Sequence, residues 1–150
     1  MVSIERLIDE HAQISACADA LRRAVATASP TMLRTTIVAL DTHLIAHLAT
    51  EDRDVYPHLL AKGDMAQREA AQIAMGDFDQ LASEWRAYVE EWTADEIEND
   101  RELFVEASKR VLSALSARVR IENEILYPLA LACGTLTLRE AGARMVEARA

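Results

Sequence analysis

Apolar residues recur along this chain with the period of a helix, and turn-forming residues interrupt the pattern at intervals. Ile4, Leu7, Ile14 and Leu21 form one stripe, which predicts a first helix from about Ser3 to about Ala28. Ser29-Pro30 then supplies a cap and a proline suited to a first turn. Leu33, Ile37, Leu40, Leu44 and Val55 make a second stripe, which Pro57 kinks or ends and Gly63 closes. Asp64 and Gln67 have the spacing of a capping box. They precede a third helix through Leu81, Trp85 and Tyr88 to about Trp92. Thr93-Ala94-Asp95-Glu96 repeats a capping pattern, and Asn99-Asp100 restarts a fourth helix carrying Phe104, Val111, Leu115 and Leu126. Cys133-Gly134-Thr135 breaks that helix, and a short amphipathic helical tail is expected from about Leu136 to Val146. No segment shows the sustained alternation of a strand. The expectation is an all-α fold in a single domain over residues 1–150. It consists of an antiparallel up-down four-helix bundle at about 3–133 and a tail at about 135–150.

Composition narrows this without changing it. The chain is 51% hydrophobic but only 5% aromatic, with four glycines and three prolines, which suits long helices packed by aliphatic side chains. Its 16 basic and 25 acidic residues give a net charge of −9, which repels phosphate backbones and argues against nucleic-acid binding. The longest apolar run, from Ile125 to Cys133, is too short to span a membrane and contains Pro128. The first residues carry no basic stretch followed by an apolar one, so no signal peptide is expected and the location is expected to be cytoplasmic. Cys17 and Cys133 lie in no Cys-x-x-Cys arrangement. They read as buried thiols in a reducing compartment, with a disulfide left open.

The chemistry lies where the apolar stripes are interrupted. Leu40, Leu44, His47, Glu51 and Val55 share one helical face, so a histidine and a carboxylate stand in the core stripe itself. His11 does the same between Leu7 and Ile14. A lone histidine on an apolar face is more often a hydrogen-bonded core residue than a ligand. Three polar side chains pointing into one core are costly unless they share a partner, and a metal ion is an economical one. Imidazole with carboxylate suits iron, manganese or zinc. The pattern also repeats. His47-Leu48-Ala49-Thr50-Glu51 leading to Val55-Tyr56-Pro57 is echoed by Arg118-Val119-Arg120-Ile121-Glu122 leading to Leu126-Tyr127-Pro128. The second copy keeps the carboxylate and has arginine in the place of histidine.

Together with Glu10-His11-Ala12-Gln13-Ile14, these motifs resemble the hemerythrin-like family, the HHE cation-binding domain, over nearly the whole chain. The resemblance implies a four-helix bundle around a non-haem di-iron centre, in proteins that bind or sense oxygen or nitric oxide, or handle iron. It places His11, His47 and Glu51 as ligands and Glu122 as the second bridging carboxylate. It also marks departures. Asp77-Phe78-x-x-Leu81 is the counterpart of the first-helix motif, so Phe78 stands where a histidine is expected. Ala74 stands one turn earlier, where another ligand can occur, and Arg118 replaces a third nitrogen ligand. An intact di-iron centre is therefore not expected.

Two arrangements remain open at this stage. In one, a single iron, zinc or manganese ion is held by His11, His47, Glu51 and Glu122. In the other no metal binds. The Arg118 guanidinium then pairs Glu122 and Glu51, and Phe78 fills the vacated volume. Arg118 also has a plain reading, in which it snorkels outward and Val119 is the core residue at that turn. His43, one turn before His47, is expected to flank the stripe, and His58 to be peripheral. Tyr56 and Tyr127 are expected to pack near the site with a phenol hydrogen bond. Gly76 suggests close helix approach, and Trp85, Tyr88 and Trp92 suggest core and rim. The functional expectation is a cation-binding domain with an incomplete site, binding one metal or none, in sensing, metal handling or regulation, with a small gas ligand only if iron is bound. The alternative is a metal-free interaction module with a protein partner or a second copy of the chain. An enzyme is not expected: no Glu-x-x-His of the carboxylate-rich di-iron bundles occurs, and no nucleophile motif or phosphate loop is present.

Overall fold

The computed structural model describes residues 1–139. Among them every regular element is helical, and the only extended pairing is an isolated bridge between Ser3 and Thr137. The long helices are α1 (Ile4–Ala24), α2 (Pro30–Asp54), α4 (Met65–Glu91) and α6 (Arg101–Ile121). Short helices α3 (Tyr56–Lys62) and α5 (Ala94–Asn99) sit between them. A π-helical turn at Glu122–Leu126 and the short α7 (Tyr127–Ala132) extend α6. The described helices form a bundle in which α1 lies against α2 and α6, and α4 lies against α6 and α3.

The ends of these helices follow from their residues. Ser3 and Ser29 cap α1 and α2 by accepting from the backbone N–H of Arg6 and Met32. Both bonds of the Asp64–Gln67 capping box are present at α4. Proline has no N–H, and its ring clashes with the carbonyl four residues back. Accordingly, α2 stops ahead of Pro57, with Val55 at φ −113° and ψ −69°. Gly63 closes this segment because a Cβ there would stand 2.6 Å from the Leu59 carbonyl oxygen.

Four expectations need correction. The first helix ends at Ala24, short of Ala28. Arg101, at the start of α6, donates to the carbonyls of Val25 and Ala28 and so satisfies a turn in place of more helix. The segment after Gly134, whose φ is +77°, is not helical as far as Arg139. It runs beside the N-terminus, with the Ile4 N–H donating to the Thr137 carbonyl at 2.7 Å. The rest of the expected tail, 140–150, lies outside the described residues. A Cβ at Gly76 would meet nothing within 4 Å, so this glycine marks no close approach. Cys17 and Cys133 are free, half-buried thiols, not fully buried ones. Among the described residues, no helix is long and apolar enough to cross a membrane.

The core is divided in two. One apolar cluster holds Ile14, Leu21, Leu33, Leu44, Leu81, Trp85, Phe104 and Leu115 among others. The second holds Leu7, Val55, Tyr56, Phe78, Leu126 and Tyr127. On α1, α2 and α6 with its π-helical extension, the polar residues of interest fall between members of the two clusters: His11 after Leu7, His47 and Glu51 after Leu44, Arg118 and Glu122 after Leu115. On α4, Leu81 and Phe78 belong to different clusters with nothing polar intervening on that face.

Candidate metal centre

His11, His47, Glu51, Arg118 and Glu122 are all buried, the most exposed being Arg118 at 6%. One donor atom from each of His11, His47, Glu51 and Glu122 lies within 4.8 Å of the others. Two donors on opposite sides of one small ion stand at most about 4.4 Å apart, twice a bond of ~2.2 Å. Contraction by a few tenths of an ångström would therefore bring the set to ligating distance. The four residues singled out in the sequence as ligands converge.

Each imidazole is aimed by its other nitrogen. His47 Nδ1 donates to Glu10 Oε2 at 2.7 Å, and Glu10 is itself held by Arg6. His11 Nδ1 lies 2.7 Å from Asn123 Oδ1. Such outer partners fix the ring and turn Nε2 toward the centre, the usual arrangement behind a ligating histidine. Sequence reasoning gave neither Glu10 nor Asn123 this role. Glu10 had a signal, since it adjoins His11 in the motif; Asn123 adjoins Glu122 and shows itself only once the local backbone is known.

Arg118 lies inside the bundle and does not snorkel. Its Nε donates to Glu122 Oε1 at 2.6 Å and a terminal nitrogen donates to Glu51 Oε2 at 2.7 Å. The guanidinium carbon sits 4.0 Å from the centroid of the Phe78 ring. Phe78 is buried against Tyr56 at 6.2 Å between ring centroids. A narrow cleft of about 60 Å³, bordered by Tyr56, Phe78, Asp52 and Asp79, reaches the outer side of Arg118.

Tyr127 reaches the middle of the cluster. Its hydroxyl donates to Glu51 Oε1 at 2.5 Å and lies 3.0 Å from Glu122 Oε2. It is also 3.1 Å from His11 Nε2 and 3.4 Å from His47 Nε2. Tyr56, its counterpart in the repeat, departs from expectation. It packs beside the site, close enough to Glu122 and Glu51 for both to raise its phenol, but its buried hydroxyl makes no well-formed hydrogen bond among the described residues. His43 and His58 are exposed, flanking and peripheral as expected. Trp85, Tyr88 and Trp92 belong to the apolar core, where Trp85 Nε1 donates to Asp41 and the Tyr88 hydroxyl bonds Ser108.

Electrostatics separate the two carboxylates. Burial and the neighbouring Glu122 hold the Glu51 carboxyl above its ordinary range. Burial would raise Glu122 too, but bonds from its neighbours and the charge of Arg118 bring it well below. Burial opposes charge on His47, yet Glu51 and Glu10, one on each ring nitrogen, keep its proton affinity above the ordinary 6.5. Burial and the two glutamates push the Tyr127 phenol far up, so it is neutral in this environment.

A model of the hemerythrin HHE cation-binding domain family matches residues 2–130. No curated protein and no solved structure matches the chain.

Proposed function

This chain belongs to the hemerythrin HHE cation-binding domain family, and on that premise we propose that it holds one cation on His11, His47, Glu51 and Glu122, with Arg118 standing in for a second. The observation that carries this reading is the set of acceptors around one proton. His47 spends its Nδ1–H on Glu10, so its Nε2, if neutral, is a lone pair 2.9 Å from Glu51 Oε1. His11 Nε2 and Glu122 Oε2 converge on the same point, and the Tyr127 hydroxyl has a single proton to give. Lone pairs facing one another in a buried space need a proton or a cation between them. Without metal, a proton held between His47 and Glu51, both of which have raised proton affinity, supplies it. With metal, the ion takes that proton's place.

Two imidazoles and two carboxylates suit zinc, manganese or iron(II). When bound, such an ion supplies a Lewis-acidic centre and, for iron or manganese, a one-electron couple. The chain's own residues set the rest. Glu10 and Asn123 orient the imidazoles, Arg118 neutralises the carboxylate oxygens turned away from them, and Phe78 keeps that side free of further donors. A role in metal handling or in sensing, with a gas ligand if the ion is iron, suits this reduced site better than catalysis. The four long helices are read as the antiparallel bundle of the family, and the location as cytoplasmic. A second reading, a metal-free interaction module, draws on the bonds of Arg118 and Tyr127 to both carboxylates. Exposed Val38, Ile45 and Ile73 would then serve a protein partner or a second copy.

Thermal unfolding separates the two. A ligand at a hundred times its dissociation constant adds about 2.7 kcal/mol to the native state, which for a domain of this size raises the midpoint by about 5–10 °C. That rise is expected with iron(II), manganese or zinc and is expected to vanish in His47→Ala. No rise with any of the three supports the metal-free module.

A further inference from the structure

We infer that Tyr127 is a donor to the cation: its phenol oxygen, more than a packing group, completes the ligand set. This rests on the one-cation reading above and goes beyond it, because neither the sequence motif nor the cation cluster assigns the tyrosine a bond to the ion. The geometry is specific. The hydroxyl oxygen lies 2.5 to 3.4 Å from a donor atom of each of the four candidate ligands. The ring is fully buried and stacked on His11 at 5.2 Å between centroids with 17° between planes. The oxygen therefore cannot be withdrawn far without moving the imidazole beneath it.

The backbone explains how it arrives there. Glu122 and Tyr127 are five residues apart, which in an α-helix would turn them about 140° from each other. The π-helical turn, closed by the Tyr127 N–H on the Glu122 carbonyl, widens the helix so that both face inward. Tyr56 is related by the repeat but lies on the Arg118 and Phe78 side, where the positive charge is the guanidinium. Tyr88 is engaged with Ser108 in the other apolar cluster. Of the three tyrosines in the chain, Tyr127 is the one whose hydroxyl lies within hydrogen-bond reach of all four residues of the cation cluster.

On binding, the phenol O–H bond breaks and an oxygen–metal bond forms. The proton now given to Glu51 leaves to water, and no oxidation is involved. The phenolate adds a hard anionic oxygen, which favours a trivalent ion over the neutral-donor alternative.

The test uses the whole chain loaded with iron(II), oxidised by air and freed of excess iron. Iron bound by tyrosinate gives a visible charge-transfer absorption and resonance-enhanced ring vibrations of the phenolate. Both are expected in the native chain, retained in Tyr56→Phe and lost in Tyr127→Phe with iron still bound. Should Tyr127→Phe fail to fold, phenolate vibrations retained in Tyr56→Phe still single out Tyr127, because Tyr88 is remote. One bound iron without the band in the native chain, or a band that survives Tyr127→Phe, overturns this inference and leaves the one-cation reading standing. No bound iron in the native chain overturns this inference, and the one-cation reading falls with it when manganese and zinc also fail to bind.

Discussion

Arg118 joins two buried carboxylates, and in the function proposed above it stands in for an ion. Its planar fork meets one oxygen of Glu51 and one of Glu122, and its face lies on Phe78. A lysine has neither the two directed donors nor the flat face, so Arg118→Lys is not a conservative change here. Removing the charge takes the cationic partner from one oxygen of each buried carboxylate, which costs about 3–5 kcal/mol in comparable sites. In metal-free protein at neutral pH, Arg118→Met is expected to lower the unfolding midpoint by about 10 °C or more. Adding Glu51→Gln should recover part of the loss, and chemical denaturation of the two variants checks this. At the residue level the sequence was informative. His11, His47, Glu51 and Glu122 were legible as polar residues in apolar stripes, and Arg118 and Phe78 as the positions where the repeat departs from itself. The burial of Arg118 rather than Val119 was not legible, since a helix that rotates slightly exchanges those two neighbours. Nor was the weak bonding of the Tyr56 hydroxyl, whose repeat position matches that of a fully bonded Tyr127.

Helical elements decide which of these residues meet. The two copies of the repeat place the tyrosine five positions after the carboxylate, and each leaves regular α-helix at that point. In the first copy α2 stops ahead of Pro57, whereas in the second the helix widens into the π-helical turn ahead of Pro128. Helix existence, the Ser29 cap and the Asp64–Gln67 box were readable from local residue types. The π-helical turn was not, because the proline requires only that an α-helical bond be lost and leaves open how the backbone responds. That turn also carries Asn123 to His11. Removing an outer partner of a ligating histidine typically weakens metal binding by about 10–100-fold. Asn123→Ala is expected to do so with the fold intact, whereas Asn123→Asp, which keeps the acceptor, should retain binding. Competition against a chromophoric chelator measures both.

Among the described residues a buried polar layer separates two apolar clusters, so in the proposed reading stability and cation binding are linked. The second proton of metal-free His47 stabilises the fold, because Glu10 and Glu51 raise its proton affinity above the ordinary 6.5 despite burial. A raised folded value means that this contribution is complete below about pH 6.5 and drains away as pH rises through the folded value. Glu51, also raised, acts in the same direction. The lowered Glu122 acts oppositely and only in acid, its contribution being lost as pH falls. Metal-free protein is thus expected to lose stability as pH rises above 6.5. His47→Gln should flatten that fall, as denaturant midpoints over a pH series would record. The overall helical architecture was legible because aliphatic periodicity persists over long stretches, whereas the tail beyond Gly134 misled. Its amphipathic spacing suits a helix, but backbone bonds to the N-terminus hold residues up to Arg139 in another form. The central claim, one cation with an arginine in place of the second, is tested most directly by elemental analysis. Untagged chain is incubated with iron(II), manganese or zinc and freed of excess metal. The account predicts about one ion per chain, none in His47→Ala, and more than one when Phe78→His and Arg118→His are combined. Two ions bound by the native chain, or none, would contradict it.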